Sequence, residues 1–171
     1  EQAPPPQPDV VLVVLDTVRA DATSAYGYER STTPRLSALA AEGVRFDAAV
    51  PAGPWTWPTH GSLFTGLWPW EHGAHFTDAA DALTVSGVLQ IGPLRTDVPT
   101  LAERFTAAGY RTVMLSANPI IAPGSGMERG FETAEKVLGD SNLVDRAAGL
   151  LDDERPLLLV VLQLFVALRR A

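Results

Sequence analysis

Three side chains in this sequence have the right types and positions to do chemistry. Asp16 closes an apolar, β-branched run, DVVLVVLD at 9–16. A carboxylate at the C-terminal end of a buried strand lies where open α/β sheets bind their ligands. It is also a hard oxygen donor suited to a divalent cation. Read without function, Asp16 caps whatever follows it. Thr56 and His60 lie in PWTWPTHGSLFTG at 54–66. Pro58 fits the first turn of a helix, which places Thr56 and Trp57 at the helix mouth. Unpaired backbone N–H groups and the positive dipole end favour an anion there, such as phosphate or sulfate. A threonine hydroxyl is a weak nucleophile at neutral pH, and a bound cation lowers its pKa toward the alkoxide. Thr56 is therefore a candidate nucleophile, with His60 one turn inside the helix. The plain alternative is that Thr56 or Thr59 caps the helix and His60 is a polar surface residue.

The elements that must position these residues follow from composition and pattern. The chain has 171 residues, 46% hydrophobic and 19% charged, which is the composition of about one globular domain. Its 13 Lys and Arg against 20 Asp and Glu give a net charge of −7. That disfavours nucleic-acid binding through phosphate contacts, which needs a basic face. Lys136 is the only lysine, and there is no cysteine. Disulfides, thiolate zinc sites and cysteine nucleophiles are thus excluded. The longest apolar run, 157–168, is broken only by Gln163. It is too short for a bilayer span, which needs about 20 residues, and reads as a buried strand.

Residues 1–8, EQAPPPQP, form a proline-rich, extended lead-in. The chain opens on Glu1, so the expectation is either a removed leader or a piece of a longer protein. A tether behind a cleaved leader suits an exported protein; the same segment suits an interdomain linker. Export is the favoured expectation. The run at 9–16 does not alternate, which predicts a strand buried on both faces of a parallel sheet. Thr33 as N-cap, Pro34 at the first position and Gly43 as stop predict a helix. The pattern predicts strands over 44–50, 110–117 and 156–165, and helices over 58–65, 98–108 and 142–152. Alternating strands and helices give an α/β fold with a mostly parallel sheet flanked by helices. Residues 71–96 and 118–140 read as loops, of the kind that lies over the ligand edge of such a sheet.

Four blocks carry a resemblance: VVLDTVRAD (13–21), TTPRLSALAAEGVRF (32–46), WTWPTHGSLFTGLWPWEHG (55–73), and LAERFTAAGYRTVMLSAN (101–118) with RGFE (129–132). In this order they resemble the N-terminal part of the sulfatase family, within the alkaline phosphatase superfamily. The resemblance implies an alkaline-phosphatase-like sheet, incomplete at the C-terminal end, with 9–171 as the N-terminal portion of a catalytic domain. It implies a metal-dependent hydrolase or transferase acting on sulfate or phosphate esters. The family signature is Cys or Ser, any residue, Pro, Ser, Arg, then an apolar helix ending in Thr-Gly. Thr56-Trp57-Pro58-Thr59-His60 stands in those places and Thr65-Gly66 matches the end. The family nucleophile falls on Thr56. Threonine carries a methyl on its β-carbon, so oxidation would give a ketone at best, and no formylglycine is expected. The resemblance is to the threonine branch of the superfamily, which includes phosphodiesterases.

The same resemblance implies a divalent cation (Ca, Mg, Mn or Zn) held by Asp16 and Thr56. The family's aspartate pair reads Asp16-Thr17 here, so one carboxylate remains. The family arginine is replaced by His60, expected to donate to the nucleophile or the transferred group. The Gly-Lys-Trp-His block reads Ser116-Ala117-Asn118-Pro119, and Asn118 is expected to donate to a substrate anion. The implied substrate is a small-molecule, glycan or lipid ester. Asp21, His72 and His75 are expected on the surface. Relatives commonly continue past the last strand with Asp-x-His, where this chain has Val166-Ala167-Leu168. A truncated or degenerate, non-catalytic remnant is therefore the alternative. A serine hydrolase using Ser62 and His60 fails on pattern, because Ser62 lacks the Gly-x-Ser-x-Gly elbow.

Overall fold

The computed structural model describes residues 7–80, 82–85, 89–121, 123–137, 143–152 and 155–164. The strands are Val10–Asp16 (β1), Leu83–Val85 (β2), Leu89–Ile91 (β3), Arg111–Ser116 (β4), Thr133–Lys136 (β5) and Leu157–Leu164 (β6). The helices are Pro34–Glu42 (α1), Thr56–Thr65 (α2), Pro69–His72 (α3), Leu101–Ala107 (α4) and Leu143–Gly149 (α5). Most of the proline-rich lead-in, residue 165 of the expected last strand, and 166–171 lie outside the described residues.

One sheet has the order β1-β6-β4-β5, with every pairing parallel. That bears out the expected α/β class. β4 and β6 lie in its middle and are buried on both faces. Leu158, Val160 and Leu162 face one core with Trp57, Phe64 and Met114. Leu157 and Leu159 face the other with Val113 and Leu115, against Leu143 and Ala147 of α5. Burying one such Leu is worth roughly 1.5–3 kcal/mol, so these two strands anchor the sheet.

β1 departs from its expected two-sided burial. Val10, Leu12 and Val14 pack on the first core, while Val11 and Val13 are 50% and 54% exposed. β1 is an edge strand among the described residues, and on its outer face Leu15 lines a cavity beneath α1. α1 buries none of its residues. Thr33 precedes α1 as expected, but its hydroxyl accepts from the Ser24 amide at 3.0 Å instead of capping the helix.

The strand expected over 44–50 does not form. Val44, Phe46 and Val50 are exposed, and no strand pairs with this segment. Its polar groups turn to a neighbouring loop: Tyr26 Oη donates to the Phe46 carbonyl and Arg45 to the Ala25 carbonyl, both at 3.0 Å. The two segments expected as loops are partly ordered. Residues 71–96 hold the end of α3 and the antiparallel β2–β3 pair. Residues 118–140 hold β5.

The fourth helix starts later than its pattern suggests because Thr100 caps it. Thr100 Oγ1 accepts from the Glu103 amide at 3.1 Å, and the Glu103 carboxylate accepts from the Thr100 amide at 2.7 Å. No helix among the described residues is long and apolar enough to cross a membrane.

Candidate active site

β1 delivers Asp16 to the C-terminal edge of the sheet, and Thr17 then turns the chain away. Thr17 has φ of 62°, a left-handed conformation that a β-branched residue adopts only under constraint. Such a residue stores roughly 1–3 kcal/mol and tends to mark a functional position. On the facing side, Trp55 is extended, and the chain bends into α2 at Thr56. Gly66, with φ of 75°, closes that helix.

These two turns bring the hydroxyl and the carboxylate together. Thr56 Oγ1 donates to Asp16 Oδ2 at 3.0 Å. Asn118, just past β4, donates from Nδ2 to the same oxygen at 2.7 Å. Asn118 is buried, and its Oδ1 accepts from the Ile120 amide at 2.9 Å, which fixes the side chain. One hydrogen of Nδ2 is thus engaged by Asp16, and the amide has a second to give. The Asp16 carboxylate is a strong acceptor within reach, and the bond from the Ile120 amide to Asn118 Oδ1 leaves Nδ2 turned toward it.

His60 does not take the surface place that its plain alternative gave it. It is buried, not a surface residue. Its Nδ1 lies 2.8 Å from the Thr56 carbonyl, which can only accept, so Nδ1 carries the proton. Nε2 is then a bare lone pair, buried and without a hydrogen-bond partner. Burial pulls the His60 pKa down, opposed by the bond to Thr56 and by the charge of Asp16. The neutral ring therefore offers an acceptor, and donation to an anion would need a second proton that burial disfavours.

A cavity of ≈ 710 Å³ opens over this group, lined among others by Asp16, Thr17, Arg19, Trp55, Thr56 and His60. A second cavity of ≈ 410 Å³ lies under α1, lined largely by apolar residues such as Leu15, Leu36 and Phe46, and holds none of the predicted site residues. Asp16 and Thr56 offer hard oxygens of the kind a divalent cation takes. Among the described residues no three His, Asp or Glu side chains gather to hold a metal. These two residues thus suit such an ion only as part of a larger donor set.

Of the residues expected on the surface, Asp21 is exposed and paired with Arg19 at 2.5 Å. His75 is partly exposed, with Nδ1 on the Phe76 carbonyl at 2.6 Å. His72 is fully buried, which corrects its expected place. Its Nδ1 accepts from the Ala74 amide at 3.0 Å, so the ring proton sits on Nε2 and donates to Ser62 Oγ at 3.0 Å. A histidine that donates to a serine is not its base, so this pair ties α3 to α2 and does not activate Ser62. The signal in the sequence was Gly61. A helix-interior glycine costs about 1 kcal/mol and here marks a close approach, since a Cβ on it would lie 2.5 Å from His72 Cε1.

Known proteins resemble this chain in sequence and in fold. An N-acetylglucosamine-6-O-sulfatase of Bacteroides thetaiotaomicron is 28% identical over 122 residues, which is 71% of this chain and 20% of that protein. Arylsulfatase A of Bos taurus is 37% identical over 109 residues, 61% of this chain and 19% of that protein. The chain thus spans about a fifth of the length of these curated relatives. The crystal structure of a phosphonate monoester hydrolase of Agrobacterium radiobacter shares the fold, with a TM-score of 0.64 at 18% identity, over 94% of this chain and 41% of that one. The family model for sulfatases matches residues 8–154, which hold β1, β4, β5 and the five helices but not β6, and the chain belongs to that family.

Proposed function

We propose that this chain carries the nucleophile side of an enzyme that hydrolyses or transfers sulfate or phosphate esters, with Thr56 as the attacking residue. The observation that carries the reading is the 3.0 Å bond from the Thr56 hydroxyl to Asp16, at the mouth of α2 and on the wall of an open cavity. Thr56 Oγ attacks the sulfur or phosphorus while its proton passes to Asp16. The bond to the leaving alcohol oxygen breaks, and the alkoxide takes a proton from solvent. Water then attacks the same atom, the Thr56 Oγ bond breaks, and Asp16 returns the proton to Thr56. The free N–H groups at the start of α2 face the charge that builds on the transferred group. Asn118 holds the carboxylate in place. Asp16 and Thr56 are the residues that would hold a divalent cation, which supplies Lewis-acid polarisation of the transferred group when bound.

Thr56 acts unmodified in this reading. That favours phosphate at least as much as sulfate, because water opens a phospho-threonine readily. Formylglycine enzymes release sulfate through a second hydroxyl that threonine lacks. The competing reading is a remnant that binds an anion without turnover, and the incomplete donor set is what favours it. The deciding experiment assays an aryl sulfate and a phosphodiester with added Mn²⁺, Mg²⁺, Ca²⁺ or Zn²⁺. Thr56→Ala is expected to lower turnover about a thousandfold or more, and Thr56→Ser to retain part of it. An unchanged rate in Thr56→Ala refutes the nucleophile. No turnover by the parent chain with any cation supports the remnant.

A further inference from the structure

We propose that Arg19 captures the anionic end of the ester at the mouth of the cavity, giving up Asp21 for the non-bridging oxygens of the ligand. This rests on Asp16 and Thr56 as the reacting pair. The cavity over Thr56 already holds one carboxylate, Asp16. A sulfate or phosphate ester brings negative charge of its own, so a cation must offset the repulsion. His60 does not supply it, because burial lowers its pKa and favours the neutral ring. Thr17, Trp55, Thr56 and Thr59 on the same wall carry no charge. Arg19 is the one arginine or lysine on that wall among the described residues.

Its guanidinium is held in reserve beside the cavity. Nε and Nη2 donate to the two carboxylate oxygens of Asp21 at 2.9 and 2.5 Å. Asp21 lies off the wall and lines a neighbouring cavity of ≈ 450 Å³ instead. The two side chains are 79% and 66% exposed. An exposed pair of this kind contributes little, because water screens it and both side chains lose freedom in making it. The planar fork that takes two carboxylate oxygens fits two oxygens of a phosphate or sulfate equally well. Exchanging one oxyanion for the other keeps both hydrogen bonds and brings the positive charge over the cavity. Asp21 is then the resident competitor that an arriving anion displaces.

The test is calorimetric binding of inorganic phosphate by the 171-residue chain at low ionic strength. Arg19→Gln is expected to weaken binding about three- to thirtyfold, and Arg19→Lys to keep part of the affinity. Asp21→Asn is expected to tighten binding about two- to fivefold, and to give no such gain once Arg19→Gln is present. Arg45→Gln breaks the matching exposed pair with Asp47 and changes the net charge equally, and is expected to leave binding unchanged. No binding by the parent, an unchanged affinity in Arg19→Gln, or an equal loss in Arg45→Gln overturns the proposal. So does a gain from Asp21→Asn that survives without Arg19, since Asp21 then acts only through its charge. The series needs no turnover and is repeated in a Thr56→Ala background. These shifts without turnover by the parent refute the nucleophile alone, and turnover without these shifts refutes the role of Arg19 alone.

Discussion

The Thr56 hydroxyl and the Asp16 carboxylate, 40 positions apart in the chain, meet at 3.0 Å, and the amide of Asn118 meets the same carboxylate oxygen at 2.7 Å. One oxygen atom therefore joins the ends of β1 and β4 to the start of α2. The first prediction follows from its charge. Asp16→Asn keeps the shape and still offers an oxygen to both donors, but it cannot take the Thr56 proton. Turnover is expected to fall about 10²–10⁴-fold with little change in thermal midpoint. Asp16→Ala instead leaves the buried Asn118 amide without its acceptor, and is expected to cost about 1–3 kcal/mol in a denaturant melt.

Asn118→Asp puts a second carboxylate at the position of a donor. Two carboxylates in hydrogen-bond contact raise each other's pKa, because they resist ionising together. A carboxyl group whose folded pKa is raised contributes stability in acid and loses it as pH rises through that value. The variant is expected to approach the parent's thermal midpoint at pH 4 and fall well below it at pH 7. Equal differences at both pH values would show that the two side chains do not meet.

Three of the sheet's four strands, and the placing of Asp16 at the end of β1 and Thr56 at the start of α2, were legible in the sequence. Strong apolar runs marked β1, β4 and β6, and the Pro58–Gly66 punctuation marked α2. What escaped the sequence was every contact whose partner is distant and whose cause is space. Asn118 reaches Asp16 across 102 positions, and no local pattern records which way a buried amide turns. The burial of His72 depends on the room left by Gly61. The 44–50 segment has strand composition, but composition supplies no partner, and the described residues provide none.

Both buried histidines carry a pH signature. Burial lowers the pKa of His60 and of His72, so the folded chain resists a proton that the unfolded chain accepts near its ordinary value. Their neutral forms contribute stability that is present above about pH 6.5 and is lost as pH falls toward the lowered folded values. The thermal midpoint is expected to drop between pH 7 and pH 5. His60→Asn, which can still donate to the Thr56 carbonyl, should flatten that drop. A drop of unchanged size in both His60→Asn and His72→Gln would assign it to the carboxylates instead.

Gly61→Ala sets two effects of opposite sign against each other. Removing a helix-interior glycine stabilises a helix by about 1 kcal/mol when the new methyl meets nothing. Here the methyl would sit 2.5 Å from His72 Cε1, 2.9 Å from His72 Nδ1 and 3.0 Å from the Ala74 methyl. His72 cannot retreat, because it is fully buried and held by the Ala74 amide on one nitrogen and Ser62 on the other. Overpacking of that kind costs about 1–3 kcal/mol, and breaking the two histidine bonds adds to it, so the clash outweighs the propensity gain. The variant is expected to melt lower than the parent. Gly61→Ala combined with His72→Ala should recover part of the loss, because the obstructing ring is gone. If the single variant melts higher than the parent, α3 does not pack on α2 as closely as these distances require.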